Sequence, residues 1–104
     1  MSDRINILKN FIAEDPGDPF NYYALALELK QASLEECKRL LLKLSCDFPN
    51  YLPSYYQLAL LHEESNEHQK AVEYTKKGIE LASHQNDRKT AAELKQLLSQ
   101  LEDE

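Results

Sequence analysis

The chain of 104 residues is long enough for one small domain, and 42% hydrophobic with 29% charged residues is ordinary for a folded protein. The net charge of −6 argues against nucleic acid and anionic membrane surfaces as partners, because both are negatively charged. Leucine, alanine, glutamate, lysine and glutamine dominate over two glycines and four prolines, and this composition favours helix over strand.

The first predicted element is a short amphipathic helix over residues 2–14. Its apolar residues Ile5, Leu8, Phe11 and Ile12 fall on one face. The segment Asp15–Pro19 ends this helix, since proline cannot continue a helix and glycine suits a turn. Asp18 and Pro19 then fit the N-cap and the first position of a second helix that runs to about Gln31.

Two further helices follow in the centre of the chain. Ser33 to Glu36 fits a capping box and begins a helix that ends near Asp47. We expect it to turn Cys37, Leu40, Leu41 and Leu44 inward. The next helix is predicted from about Pro53 to Glu64, and the residues we expect it to bury are Tyr55, Leu58, Ala59 and His62.

The last third of the chain predicts two more helices. Ser65-Asn66 forms a turn, and the fifth helix carries an apolar and small-residue face of Ala71, Val72, Thr75, Gly78, Ile79 and Ala82. A polar break is expected over Ser83–Asp87. The sixth helix begins at Asp87 or at Thr90, where a second capping box starts, and presents Leu94, Leu97, Leu98 and Leu101. With no period-two alternation, the sequence predicts an all-α fold of about six helices.

Two segments of the chain read alike at nearly constant spacing. Tyr22-Tyr23-Ala24-Leu25-Ala26-Leu27 and Tyr55-Tyr56-Gln57-Leu58-Ala59-Leu60 are 33 residues apart, and Cys37 and Ala71 behind them are 34 apart. A period of about 34 residues made of two helices is typical of helix-turn-helix repeats. The tyrosine segments are one residue closer together than Cys37 and Ala71, so the first copy has one residue fewer between its two helices. This predicts a shorter turn near Gln31–Ser33.

The pattern resembles the tetratricopeptide repeat family. The second copy matches the family at Tyr55, Leu58, Ala59 and Ala71, with His62 and Thr75 at aromatic positions, Gly78 at a small position and Ser83 at the closing proline. The resemblance implies a right-handed α-α superhelix of antiparallel helix pairs and a single domain over residues 1–104. Its parts would be an N-terminal half-repeat helix at 2–14, repeats at 19–49 and 52–83, and a C-terminal capping helix at 87–102.

In this family the first helix of each unit lines the concave surface, so the resemblance implies a peptide-binding face here. The implied binding residues are Tyr23, Leu27, Lys30, Tyr56, Gln57, Leu60, Glu63 and Glu64. Tyr22 and Tyr55 are the tyrosines expected to pack inside each repeat. Tyr23 and Tyr56 follow them by one residue, so they point about 100° away from Tyr22 and Tyr55 around the helix. The alternative is that both rings pack against an adjacent or terminal helix.

The charges of this face narrow the type of partner. Some family members bind a partner's terminal carboxylate with Lys, Asn and Arg, but the matching positions here hold Tyr23, Leu27 and Gln57, with Glu63 and Glu64 nearby. An extended or helical peptide with apolar anchors and a basic residue fits better.

Catalytic and metal-binding chemistry has little support in the sequence. Cys37 and Cys46 are nine residues apart, which is neither a redox nor a zinc spacing, and Cys37 is expected to be buried. A HExxH motif from His62 would need histidine where Asn66 stands. No P-loop, GxGxxG or GxSxG occurs, so we expect no enzyme activity, no cofactor and no metal site.

The sequence therefore predicts a cytoplasmic, non-enzymatic adaptor that binds a protein or peptide segment. The cytoplasmic location is expected because no continuous apolar stretch forms a signal peptide or a membrane span. The main alternative is a homodimer that uses the repeat surface, since two repeats fall short of the three or so that stacking usually needs. A metal-dependent enzyme built on His62 is the third and weakest hypothesis.

Overall fold

The computed structural model describes residues 3–103, and over this range the chain forms α-helices and no strand. The six helices are α1 (Asp3–Glu14), α2 (Pro19–Ala32), α3 (Leu34–Asp47), α4 (Pro53–Glu64), α5 (His68–His84) and α6 (Arg88–Glu102). The predicted all-α class with about six helices is confirmed. Residue 2, which the sequence assigned to the first helix, lies outside the described residues.

The chain divides into two compact units, of which the first ends at Tyr51. In this unit α2 packs against both α1 and α3. Its core cluster is made of Leu8 from α1 with Ala24 and Leu25 from α2, and half-buried Ile5, Ile12, Leu29 and Leu40 pack around it. Each of the three helices thus contributes an apolar face to one small core.

The second unit begins at Leu52, and here α5 packs against both α4 and α6. Leu52, Ala82 and Leu94 form a core cluster, with Tyr56, Ile79, Leu81 and Ala91 packed against it. Along α4 the residues expected to be buried, namely Tyr55, Leu58, Ala59 and His62, are all buried. No helix in the described part of the chain has the length and apolar character needed to cross a membrane.

Polar side chains cap α2 and α3 at the expected places. Asp18 accepts a hydrogen bond from the Phe20 backbone N–H at 3.0 Å, and Ser33 accepts one from the Glu36 N–H at 3.2 Å. Each bond satisfies a backbone donor that the first helical turn leaves without a partner. Ser33 also closes α2 through its own N–H to the Leu29 carbonyl, so one residue links α2 to α3. The predicted short turn is confirmed.

The connection from α5 to α6 differs from the expected one. The helix α5 continues through Ser83 to His84, where the sequence predicted a break. The chain reverses instead around Asn86, whose φ of 59° lies in the left-handed region, where asparagine is tolerated. Asp87 then caps α6, since its carboxylate accepts from both the N–H and the hydroxyl of Thr90. Of the two predicted starts of this helix, the one at Asp87 is confirmed.

The packing of α1 also departs from expectation. Leu8 is buried, and Ile5 and Ile12 pack against its cluster, but Phe11 remains 47% exposed and Ile7 48% exposed. Phe11 was predicted on the inward face. It lies at the edge of that face, where α2 does not cover it.

Small residues allow α5 to approach both of its neighbours closely. A Cβ atom added at Gly78 would lie 2.8 Å from Leu94 Cδ1 on α6 and 3.3 Å from Tyr55 Cβ on α4. Real Cβ atoms essentially never make the first contact, so the buried Leu94 side chain would have to shift within a close-packed core, and Tyr55 would have to move slightly as well. The expectation that Gly78 relieves a tight contact is confirmed.

We predict that Gly78→Ala destabilises the protein even though alanine favours helix. The better helix propensity contributes about 1 kcal/mol, whereas overpacking a filled core costs roughly 1–3 kcal/mol. The net loss in the free energy of unfolding should be about 1 kcal/mol, measured by urea unfolding followed by circular dichroism.

Gly17→Ala is the matched control for this substitution. Its nearest neighbouring atom is 3.8 Å from the added Cβ, and its φ is not positive. Loss of backbone freedom in the unfolded chain should leave this variant unchanged or more stable by less than about 1 kcal/mol. A Gly78→Ala protein as stable as the wild type would contradict the close-packing argument.

Candidate functional site

The predicted binding residues of the first unit form one stripe along α2. Tyr23, Leu27 and Lys30 follow one another at intervals of four and three residues, which places them on the same side of the helix. Leu27 is 36% exposed, while Tyr23 and Lys30 are half-buried. Tyr23 is not fully open to solvent because its ring meets that of Tyr51 edge-on, with 5.7 Å between ring centres.

Adjacent tyrosines of α2 have different neighbours. The ring of Tyr22 packs against Phe48, with 5.8 Å between ring centres, and its hydroxyl donates to the Pro16 carbonyl at 2.8 Å. Tyr22 therefore ties the turn before α2 to the residues that follow α3. Tyr23 contacts Tyr51 three residues further along the chain, so both rings rest on the segment that ends the first unit.

Tyr51 is an aromatic residue that the sequence analysis did not include in the site. Its pKa is raised above the ordinary value of 10.0, first because burial disfavours the phenolate and then because ionised Tyr23 and Asp18 repel it. With Tyr23 it forms a pair of aromatic rings in the first unit. Tyr51 lies in the connection between α3 and α4, and its residue type alone carried no signal for this role.

A buried aromatic stack holds α4 and α5 together in the second unit. The ring of His62 lies parallel to that of Tyr74 at 5.2 Å, and Tyr74 also meets Tyr55 at 6.4 Å. His62 is 2% exposed, and its Nδ1 lies 2.9 Å from Glu67 Oε1. The carboxylate can only accept, so the proton of a neutral His62 sits on Nδ1. The ring of His62 thus packs between α4 and α5 and is held there by Tyr74 and Glu67.

The second unit contains a groove between α4 and α6 with a volume of about 350 Å³. Two of the predicted binding residues, Tyr56 and Leu60, form its wall on α4. Tyr56 also packs against the core cluster of Leu52, Ala82 and Leu94, so part of its ring is structural. The opposite wall lies on α6, which the sequence predicted only as a capping helix. It consists of Glu93, Gln96, Leu97 and Gln100.

These α6 residues carried a signal in the sequence. Positions 93, 96, 97 and 100 recur at the spacing of one helical face, and that face is polar apart from Leu97. It lies beside the apolar face of Leu94, Leu98 and Leu101.

The remaining predicted residues of α4 lie outside the lining of this groove. Gln57 is half-buried, and Glu64 is exposed. Glu63 is half-buried, with Oε1 3.5 Å from Nδ1 of His68 at the start of α5. The second unit therefore brings together two of its five predicted site residues and adds four from α6.

The groove offers a consistent set of contacts to another polypeptide. Leu60 and Leu97 provide apolar surface on the two walls, and Tyr56 provides an aromatic edge. The amides of Gln96 and Gln100 can both donate and accept hydrogen bonds, as a peptide backbone requires. Glu93 adds one carboxylate, which favours a basic side chain.

A second cavity of about 330 Å³ lies at the turn between α5 and α6. Its charged lining residues are Asp87, Arg88 and Lys95. The carboxylate of Asp87 already accepts two hydrogen bonds from Thr90. Those bonds hold the pKa of Asp87 below its ordinary value, and they commit this carboxylate to capping α6.

Metal binding has no cluster of ligands to support it in the part of the chain that the structure describes. Between residues 3 and 103, no three histidine, cysteine, aspartate or glutamate side chains stand close enough to hold an ion. Cys37 is buried, as expected, while Cys46 is exposed.

Comparison with known proteins identifies similar solved structures. No protein-family model matches the chain, and no curated protein is similar to it in sequence. The solution structure of a tetratricopeptide repeat domain protein from Salinibacter ruber is 31% identical, with a TM-score of 0.80 over 86% of this chain and 91% of that one. A crystal structure of a tetratricopeptide repeat domain protein from the same organism is 32% identical, with a TM-score of 0.78 over 83% of this chain and 97% of that one.

More distant similarity extends over nearly the whole chain. A crystal structure of MamA is 21% identical, with a TM-score of 0.63 over 95% of this chain and 67% of that one. At this level of identity the likeness concerns the fold alone. The two structures above 30% identity and the structure at 21% identity thus share the helical fold of this chain.

We predict that the phenol of Tyr51 titrates above pH 10 in the folded protein. Because its folded pKa is raised, its contribution to stability is fully present below the unfolded value of about 10 and is lost as the pH rises through the folded value. In an NMR titration of ring-labelled tyrosine, the resonance that is absent in Tyr51→Phe should show a raised midpoint. A Tyr51 midpoint at or below the ordinary value would contradict the burial of this ring.

Proposed function

Because the chain belongs to the tetratricopeptide repeat family, we propose that it is a non-enzymatic interaction module that binds a peptide or protein segment. The proposed contacts of the first unit are Tyr23, Leu27 and Lys30, and those of the second are Tyr56, Gln57, Leu60, Glu63 and Glu64. To the second set we add the α6 wall of the groove. A single domain over residues 1–104, with the repeat boundaries given by the sequence, and a cytoplasmic location are parts of the same proposal.

The observation that carries this proposal is the groove between α4 and α6. Apolar side chains stand on both of its walls, and hydrogen-bonding side chains stand between and beside them. Sites that recognise peptides combine apolar anchors with a few polar groups that fix the backbone. A groove of about 350 Å³ accommodates a few side chains of a partner, which suits a short segment.

The chemistry of the groove favours a partner segment with aliphatic and basic residues. Leu60 and Leu97 suit an aliphatic anchor, and Glu93 attracts a lysine or arginine at its side. The chain's charge of −6 acts in the same direction by speeding the encounter with a basic partner. A terminal carboxylate or a nucleic-acid backbone meets repulsion instead.

Self-association through the repeat surface remains the alternative function from the sequence. A metal-dependent enzyme built on His62 is less well supported, because the ring of this residue is buried against Tyr74 and hydrogen-bonded to Glu67.

We predict that Gln96→Arg combined with Gln100→Arg strongly weakens peptide binding. Both glutamines are exposed on α6, so the substitutions should not disturb the core, whereas Tyr56 packs against it. The two arginines fill the groove and repel a basic segment. The affinity of peptides selected from a random library, measured by fluorescence anisotropy, should fall by about tenfold or more.

Glu102→Arg is the matched control. It changes the net charge by the same two units, but it lies on the opposite side of α6 and outside the groove. Selected peptides should bind this variant as they bind the wild type. Equal binding by the Gln96→Arg, Gln100→Arg protein and the wild type would refute the groove as the binding site.

A further inference from the structure

The outer side of α1 carries a stripe of exposed residues that lies beside its packing face. Its members are Arg4, Ile7, Phe11 and Glu14, and all four are exposed. Ile7 is 48% and Phe11 47% exposed, which places them among the most exposed large apolar residues of the described chain. The stripe therefore presents two large apolar side chains flanked by a positive and a negative charge.

The spacing of this stripe is that of a helix-pairing seam. Positions 4, 7, 11 and 14 follow one another at intervals of three, four and three residues. This alternation is the pattern by which two helices pack side by side over a few turns. The residues that hold α1 on its own unit, Ile5, Leu8 and Ile12, belong to an adjacent face.

We propose that the stripe is the contact through which two copies of this chain pair, with their α1 helices antiparallel. A two-fold axis near Lys9 places Ile7 opposite the partner's Phe11 and Arg4 opposite the partner's Glu14. Each of these pairs occurs twice, because a two-fold contact uses the same patch on both copies. The pairing covers all four residues of the stripe at once.

The charges of the stripe favour a second copy of the chain as its partner, and they favour the antiparallel over the parallel arrangement of the two helices. In a parallel pair Arg4 would face the partner's Arg4, and Glu14 would face the partner's Glu14, so both ends would repel. In the antiparallel pair Arg4 attracts the partner's Glu14 at each end. A stripe with apolar residues at its centre and opposite charges at its ends is complementary to itself, and this favours a second copy over an unrelated partner.

Other charges on α1 make this a weak dimer. Arg4 already pairs with Glu28 on its own chain, with Nε to Oε2 at 3.3 Å, although its side chain is 63% exposed. Asp3 comes opposite the partner's Asp15, a like-charge pair at each end. Association should therefore be seen at micromolar to millimolar protein concentration and should weaken as salt screens the exposed pairs.

This contact is independent of the proposed peptide site. The stripe belongs to α1 of the first unit, whereas the groove lies between α4 and α6 of the second. Loss of one activity therefore leaves the other measurable in the same protein.

Sedimentation equilibrium of four proteins tests the proposal, over roughly 10 µM to 1 mM at low ionic strength. The wild type should dimerise. Arg4→Glu and Glu14→Arg each turn two attractive pairs into two repulsive ones, so each should weaken the dimer about tenfold or more. The double variant Arg4→Glu, Glu14→Arg restores opposite charges in the antiparallel register and should return the dimer to near wild-type strength.

Two further variants separate pairing from folding. Phe11→Asp should give a monomer with unchanged helix content by circular dichroism. Lys9→Glu reverses a charge on the far side of α1 and should dimerise like the wild type or more strongly, because it removes no contact of the stripe. A wild type that stays monomeric at 1 mM, or a double variant as weak as the single ones, would overturn the proposal.

Discussion

The close approach of α5 to its two neighbours at Gly78 is the constraint on which the second unit depends. The backbone of α5 lies so near Tyr55 on α4 and Leu94 on α6 that a single Cβ would overlap. Ala71, Thr75 and Ala82 continue this line of small buried side chains along the helix. Thr75 satisfies its hydroxyl locally by donating to the Ala71 carbonyl, so the line carries no unpaired polar group.

The groove follows from this packing. Since α4 and α6 both pack on α5, their outer faces leave a cleft in which Tyr56 and Leu60 stand across from the stripe that ends at Gln100. Tyr55 therefore fills the interior of the second unit, whereas Tyr56 forms a wall of the groove. In the first unit Tyr22 is hydrogen-bonded to the turn at Pro16, whereas Tyr23 packs against Tyr51.

Local rules in the sequence were enough to predict the helices, because short-range chemistry decides where they begin. Asp18 and Ser33 cap as expected, and the mid-helix Gly78 correctly indicated a tight crossing. The left-handed Asn86 was missed, since asparagine tolerates that conformation without requiring it. Phe11 was placed inside because periodicity gives a face but not the width that a neighbouring helix covers. The α6 wall was missed because an exposed polar face is also what a capping helix presents to solvent, and its position across from α4 is set by the packing of both helices on α5.

The central claim is that the α4–α6 groove receives a protein segment, and intermolecular NOEs test it most directly. The protein would carry labelled leucine methyl groups, and a selected peptide would be bound without label. The account predicts NOEs from the methyl groups of Leu60 and Leu97 to the peptide, and none from Leu34, which is exposed on α3. NOEs from Leu34 together with silent Leu60 and Leu97 would contradict it.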